Sequence, residues 1–227
     1  KRPDWQPQLQ HEGSSFLTRL QLTSSLEEIF CLVVPVQCPG CGEVLRGGRL
    51  QEAPVSLPSP FSNGHKSSCC LLVAPAHDNI NREFGGTSDL HTGISNTAGI
   101  VYNYTQDGVR RDERGWECCV SIPLVGPDMF HLLAQWDQYL DRFSEGSMWD
   151  PVWHKFQEDD HNCFSFCLGF INGVLAAEGR GPLSRDAFTL SFIVPRMKRV
   201  SQFMTLYQHI QSHQHYIVDR QDVVSGH

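Results

Sequence analysis

No stretch of this chain is long and apolar enough to cross a bilayer. The longest apolar runs, "IFCLVVPV" and "CLLVAP", fall far short of the roughly 20 residues that a spanning helix needs. No basic-then-apolar segment with a small-residue cleavage site opens the sequence, so nothing marks a membrane protein or a secreted precursor. Dense Lys/Arg clusters are also missing. With a net charge of −7 and eleven histidines counted neutral, a long-range grip on phosphate backbones is excluded, and nucleic acid is not an expected partner. Regular cysteine spacing is absent too: the nine cysteines are an odd number and include the adjacent pairs Cys69-Cys70 and Cys118-Cys119, unlike a secreted disulfide framework. Reduced thiols in an intracellular setting, cytoplasm or nucleus, are the expectation. No internal repeat is present.

What remains is an ordinary globular composition. The 227 residues, 40% hydrophobic and 19% charged, suffice for one good-sized core and a small accessory module. Residues 1–25 are rich in Gln, Ser and Pro without a steady period, and read as a poorly ordered lead-in. A strand should begin near Glu28 and end by Pro35 and Pro39; a Gly/Pro turn, "QCPGCGEVLRGGRL", a Pro/Ser-rich loop and a strand at "CCLLVAP" complete an amino-terminal β module over 26–76.

Residues 77–220 form the expected carboxy-terminal domain, with 221–227 as a tail. "DLHTGIS" and "GIVYNY", joined by a polar turn ending in Gly, read as a hairpin; "DGVRRDERG" reads as a charged turn, and "WECCVSIPL" as a further strand. Apolar residues at helical spacing predict a helix in "GPDMFHLLAQWDQYLDRF", started by Pro127 and Asp128. From Cys163 to Leu175 the apolar residues point in nearly every direction, which predicts a buried central helix. "RGPLSRDAFTLSFIVP" fits either a helix or a strand, "PRMKRVSQFMTLYQHIQSH" fits a helix, and "HYIVD" a last strand. The expected fold class is α+β, antiparallel strands packed on one buried helix.

Two places carry chemistry. In "CPGCGEVL" a Pro-Gly turn aims the Cys38 and Cys41 sulfurs to one side, and Gly42 relieves the backbone behind them, the shape of half a structural zinc site. His65 and Cys69 are the expected closing ligands of a Cys3His zinc knuckle, with Cys70 and Cys31 as alternates; the plainer reading is a turn with unligated or redox-active cysteines. The second place is Cys163. A cysteine in the first turn of a helix lies at the positive end of the dipole, which favours thiolate, whereas Cys167 one turn later sits in the apolar body. Its base would be His91 on the predicted strand or, in competition, His161; Asn103, Asp89 and Asn96 are candidates to orient the imidazole. Trp116, Trp149 and Trp153 either line a substrate groove or pack the core.

The order of "HTGI" on a strand followed by "NCFSF" at a helix start resembles the permuted papain-like families, the PPPDE/deSUMOylating-isopeptidase group and the lecithin:retinol acyltransferase-like group. Asn162, Cys163 and Phe166 stand where their Asn-Cys-x-x-aromatic box requires. The resemblance implies a permuted papain-like domain in which the Cys163 thiolate attacks an acyl or isopeptide carbonyl, His91 acts as base and acid, and helix-start N–H groups hold the oxyanion. A second resemblance covers most of the chain: "QEAPVSLPSPFSNGH", "SDLHTGISNTAGIVYNYTQDGV", "GWECCVSIPL", "QWDQYL" and "AEGR" are similar to the makorin-2 opposite-strand family. It implies an amino-terminal and a carboxy-terminal domain and hands on no activity. Two functions follow. One is an interaction protein, a papain-like fold with little or no catalysis and a zinc knuckle as recognition surface, binding a protein partner. The other is a thiol hydrolase or acyltransferase working through a Cys163-His91 dyad on a peptide or acyl substrate. Contact between sulfur and imidazole, with a polar group behind the ring, separates the two.

Overall fold

The structure, a computed structural model, describes residues 17–22, 27–45, 50–76, 84, 89–126 and 129–219. Most of the expected lead-in, the helix-start signals Pro127 and Asp128, and the tail lie outside these residues. The chain divides into two compact units, one of residues 1–60 with 199–227 and one of residues 61–198.

The first unit holds an antiparallel sheet of β1 (Leu17–Gln21), β2 (Glu27–Cys31), β3 (Val55–Leu57) and β9 (His215–Asp219), in the order β3-β1-β2-β9. Strand β1 falls inside the expected lead-in. Its two fully buried leucines, Leu17 and Leu20, are three residues apart, so the alternation that marks a strand is broken in the sequence. Leu20, Leu22, Ile29, Cys31 and Cys38 form the core, with Leu45, Leu50 and Ile217 packed against them. Ile217 comes from the far end of the chain and stands opposite Ile29 in the β2–β9 ladder.

The second unit is built on a five-stranded antiparallel sheet: β4 (Cys70–Pro75), β5 (Leu90–Ser95), β6 (Val101–Thr105), β7 (Gly108–Asp112) and β8 (Val120–Pro123), ordered β7-β6-β5-β4-β8. Strand β4, expected in the amino-terminal module, is part of this sheet. All six of its residues are buried, and a strand buried on both faces needs the neighbours β5 and β8 that this sheet supplies. The expected charged turn contains β7. It is an edge strand, and Arg110 and Arg111 are the exposed charges that keep such an edge from pairing further.

Helices α1 (Phe130–Ser144) and α2 (Cys163–Ala177) form where the apolar spacing predicts them. The ambiguous stretch is helical: α3 (Arg185–Phe188) runs through a π-helical turn at Thr189–Ile193 into α4 (Val194–His213), within which the chain leaves the second unit. Helix α2 packs on β5 and β6, and Phe166, Cys167 and Phe170 are wholly buried. Aromatic side chains clasp it, with Trp136 5.0 Å from Phe170 and Phe143 and Trp149 5.3 and 5.1 Å from Phe166 between ring centroids. Each buried Phe contributes about 1.5–3 kcal/mol through the area removed from water. The helices approach closely because Gly173 has no side chain; a Cβ there would run into the Tyr139 hydroxyl.

One irregularity of this sheet positions the site. Opposed residues share a face, so His91 lies with Ala74 on the side of the Leu72, Val101 and Trp116 cluster, and Thr92 lies with Val73 on the other. Strands β5 and β6 pair only at Ile94↔Tyr102 and Ser95↔Val101. The Ala76 N–H donates to the Asp89 carbonyl at 2.8 Å, and alternation along the ladder then turns the Thr92 N–H away from β4 towards β6. There the β5–β6 ladder has already ended, and among the described residues the Thr92 N–H has no β partner.

Candidate active site

Cys163 opens α2. Asn162 before it is extended, with φ −139° and ψ −174°, and its Oδ1 accepts the Ser165 N–H at 3.0 Å, a side-chain N-cap. The Asn162 Nδ2 donates to the Glu158 carbonyl at 2.5 Å, which ties the cap to the preceding loop. The cap leaves the first two helical N–H groups, those of Cys163 and Phe164, without an acceptor among the described residues. Asn162 thus acts on the backbone.

The Cys163 thiol reaches the seam where β5 and β6 part. Its sulfur lies beside the His91 imidazole and the Thr92 backbone N–H, close enough for both to pull the thiol's pKa down. Successive side chains of a strand leave opposite faces, so a single sulfur meets both the His91 ring and the Thr92 hydroxyl only at a strand edge, and the ended ladder provides that edge. Thr92 is 3% exposed, and its hydroxyl oxygen has no hydrogen-bond partner among the described residues, although it lies near the sulfurs of Cys163 and Cys167.

Behind the imidazole stands Asn103. Its Oδ1 lies 2.9 Å from His91 Nε2, which leaves Nδ1 for the sulfur. The Asn103 Nδ2 donates to Asp112 Oδ2 at 2.8 Å, and the same carboxylate oxygen accepts the Trp116 Nε1–H at 3.2 Å. Of the other candidate orienters, Asn96 uses its Oδ1 on the Ala98 and Ile100 N–H groups of the hairpin turn, and Asp89 is exposed. His161 stacks on Trp149 with ring centroids 5.1 Å apart and stands edge-on to Tyr104 at 5.0 Å; the thiol's imidazole partner is His91.

Electrostatics follow from these contacts. Burial alone would push the Cys163 thiol up, but the hydrogen bond and charge of His91, then the Thr92 backbone N–H and hydroxyl, outweigh it and hold the thiol below its ordinary value. Burial alone would lower His91, but the contact with Cys163, the Asn103 hydrogen bond and the charge of Asp112 raise it instead. Both shifts favour the thiolate-imidazolium pair. Cys167, wholly buried, is pushed far up and stays a thiol, while Cys163 keeps 8% of its surface open to solvent. Trp116 and Trp149 are core residues, and only Trp153 is exposed.

The expected zinc ligands fare differently. The turn is there: the Gly42 N–H donates to the Cys38 carbonyl at 2.8 Å, and Gly42 takes a φ of +77° that a side chain would resist. Among the described residues, however, no three His, Cys, Asp or Glu side chains gather where they would hold a metal. Cys38 is buried in the first unit's core, Cys41 is exposed, and His65 and Cys69 belong to the second unit. His65 commits both ring nitrogens to the backbone, Nδ1 to the Gly99 carbonyl at 2.8 Å and Nε2 to the Trp116 N–H at 3.3 Å, so it does not fit a ligand role. Burial raises the Cys69 thiol to about 12.

Comparison with known proteins bears on descent. No solved structure matches the chain. Residues 54–210 match the family described as DUF4796 C-terminal, and this span contains Cys163, His91, Asn103 and Asp112. The human MKRN2 opposite strand protein is 46% identical over 191 residues, which cover 84% of this chain and 85% of that protein. Identity of that extent, together with the family match, means that the chain belongs to the family of the MKRN2 opposite strand protein.

Proposed function

We propose that the second unit is a papain-like thiol enzyme, a hydrolase or acyltransferase, with Cys163 as nucleophile, His91 as base and acid, and Asn103 as the residue that orients His91. The observation that carries this reading is the chain of contacts from a thiol held low, through the imidazole, to Asn103 at 2.9 Å. A binding module that kept Cys163 only for its size would have no need of a polar side chain behind the ring. The partner in this reading is an ester or amide whose carbonyl reaches the exposed sliver of the sulfur.

The steps use this chain's own groups. The Cys163 thiolate attacks the acyl carbon, a C–S bond forms, and the carbonyl electron pair moves to oxygen. The free N–H groups of Cys163 and Phe164 face that oxyanion from the helix start. The His91 imidazolium then passes its proton to the departing nitrogen or oxygen as the C–N or C–O bond breaks. In the second half, neutral His91 takes a proton from water, or from an acceptor amine or alcohol, which attacks the thioester and releases the thiol. The test is to treat the full chain with an activated acetyl ester and locate thioester adducts by peptide mass spectrometry. Acylation of Cys163 should far outpace that of the exposed thiols Cys41 and Cys118 and should fall in His91→Ala; acylation no faster than at those two sites would sink the reading.

A further inference from the structure

Resting on that reading, one question remains: what decides which end of the Asn103 amide faces His91? The oxygen and nitrogen ends of an amide are nearly the same in shape and opposite in hydrogen-bonding role. With Oδ1 towards His91, the ring is asked to carry a proton on Nε2, which suits an imidazolium. With Nδ2 towards His91, the ring is asked to present a bare Nε2, which suits a neutral imidazole protonated on the nitrogen that faces the sulfur. The second arrangement cannot accept the thiol proton. A flip of one side chain, with no change of shape, would switch the site off.

We infer that Asp112 is a positioning residue: its carboxylate, which only accepts, captures the Asn103 Nδ2–H and so commits Oδ1 to His91. The geometry is specific. Asp112 stands opposite Val101 in the β6–β7 ladder and hence diagonal to Asn103 on the same face, within reach of a cross-strand side-chain bond. The 2.8 Å bond to Asn103 and the 3.2 Å bond from Trp116 Nε1 converge on Oδ2, so the buried indole fixes the carboxylate that fixes the amide. Asp112 is 16% exposed, and Arg110 Nε, at 3.8 Å from Oδ1 on a 55% exposed side chain, faces its other oxygen. The relay thus runs Trp116 to Asp112 to Asn103 to His91, with donor and acceptor roles forced at each link. Sequence reading named Asn103 among three orienters and had no signal for Asp112, which sits in a stretch that reads as a charged turn.

The experiment compares Asp112→Ala with Asp112→Asn in the full chain. The Asn variant keeps an oxygen at the Oδ2 position for both donors, so it retains the orientation while losing the charge. Two readouts are taken: the pH midpoint of Cys163 alkylation by iodoacetamide, and the titration of the His91 ring by NMR, assigned with His91→Gln. Asp112→Ala should lower the His91 midpoint and raise that of Cys163 by about one unit, slowing alkylation near pH 6 about threefold once the greater nucleophilicity of the more basic thiolate is counted. Asp112→Asn should keep both midpoints within about 0.2 unit of the parent's, and a parent-like melting curve for Asp112→Ala shows that its effect is not a loss of folding. Parent-like midpoints in Asp112→Ala would overturn the inference, as would an equal loss in both variants, which would mean that charge alone matters. If His91→Gln itself leaves the Cys163 midpoint unmoved, it is the thiol-enzyme reading that fails; if His91→Gln raises it and Asp112→Ala does not, the triad stands without Asp112.

Discussion

Replacing His91 with Ala should change the pH dependence of Cys163 in a way that mere damage cannot imitate. An opposite charge in contact moves a pKa by about one to three units, and burial, unopposed, moves the thiol further in the same direction once that charge is gone. Below both midpoints the thiolate fraction then falls by about ten- to a thousandfold. A thiolate of higher pKa is also the stronger nucleophile, with a Brønsted slope of about 0.4–0.5, so roughly half of the logarithmic loss is recovered. The net slowing on the acid side is about 3- to 40-fold, whereas the alkaline plateau rises above the parent's by a similar factor. The two rate profiles must cross. Access to the sulfur, 8% exposed in the parent, scales a whole profile and leaves its midpoint and shape unchanged, so those are the quantities compared. The assay is iodoacetamide labelling from pH 5 to 10, with the Cys163 peptide quantified against that of the exposed Cys41. Profiles that run parallel, or a midpoint that stays where it was, would refute the ion pair on which the mechanism depends.

Other expectations are simpler. Asn162→Ala removes the N-cap of α2 and should cost about 1 kcal/mol, lowering the melting temperature by about 2–4 °C; an unchanged melting curve would contradict the capping role. Thr92→Val removes a buried hydroxyl that has no hydrogen-bond partner among the described residues, so the protein should melt at or above the parent temperature while the Cys163 alkylation midpoint rises; a clear loss of stability would mean that the hydroxyl has a partner of consequence. Phe170→Ala empties a wholly buried position between Trp136, Tyr139 and Phe143 and should cost about 3–5 kcal/mol in denaturant unfolding, and a cost under 1 kcal/mol would show that the helix contact is loose. Activity of the acyl-transfer type should rise as Cys163 ionises, below the ordinary thiol range, and fall as His91 loses its proton, above the ordinary imidazole range; a rate that climbs without a fall through alkaline pH would exclude His91 as the acid.

The helices and the β5–β6 hairpin were legible because their signals are local. Trp136, Leu140 and Phe143 recur at helical spacing, and "NTAG" supplies the turn chemistry. Strand β7 escaped because an edge strand shows solvent a charged face, so "GVRRD" looks like a turn until its neighbour is known. Strand β9 was legible as a strand, but its pairing with β2 joins residues from opposite ends of the chain, and no local pattern encodes that. The same contrast holds within the site. Cys163 and His91 are singled out by residue type and position, but the choice of Asn103 over Asp89 and Asn96 depends on the β6 register, and the role of Asp112 depends on a second register beyond it. The Cys38–Gly42 turn is legible because its Pro-Gly chemistry is local, whereas the contacts of the His65 ring with the Gly99 carbonyl and the Trp116 amide join residues far apart in the chain and leave no local signal.

The early end of the β5–β6 ladder gives the second unit a built-in spectroscopic gauge. The Thr92 amide, which in an uninterrupted sheet would bond a carbonyl, faces the Cys163 sulfur instead. Its proton resonance therefore answers to whatever that sulfur carries, a proton, a negative charge or an acyl group, and its exchange with solvent slows only while the sulfur remains an acceptor. A single backbone signal can follow occupancy of the nucleophile in real time, with no label on any ligand.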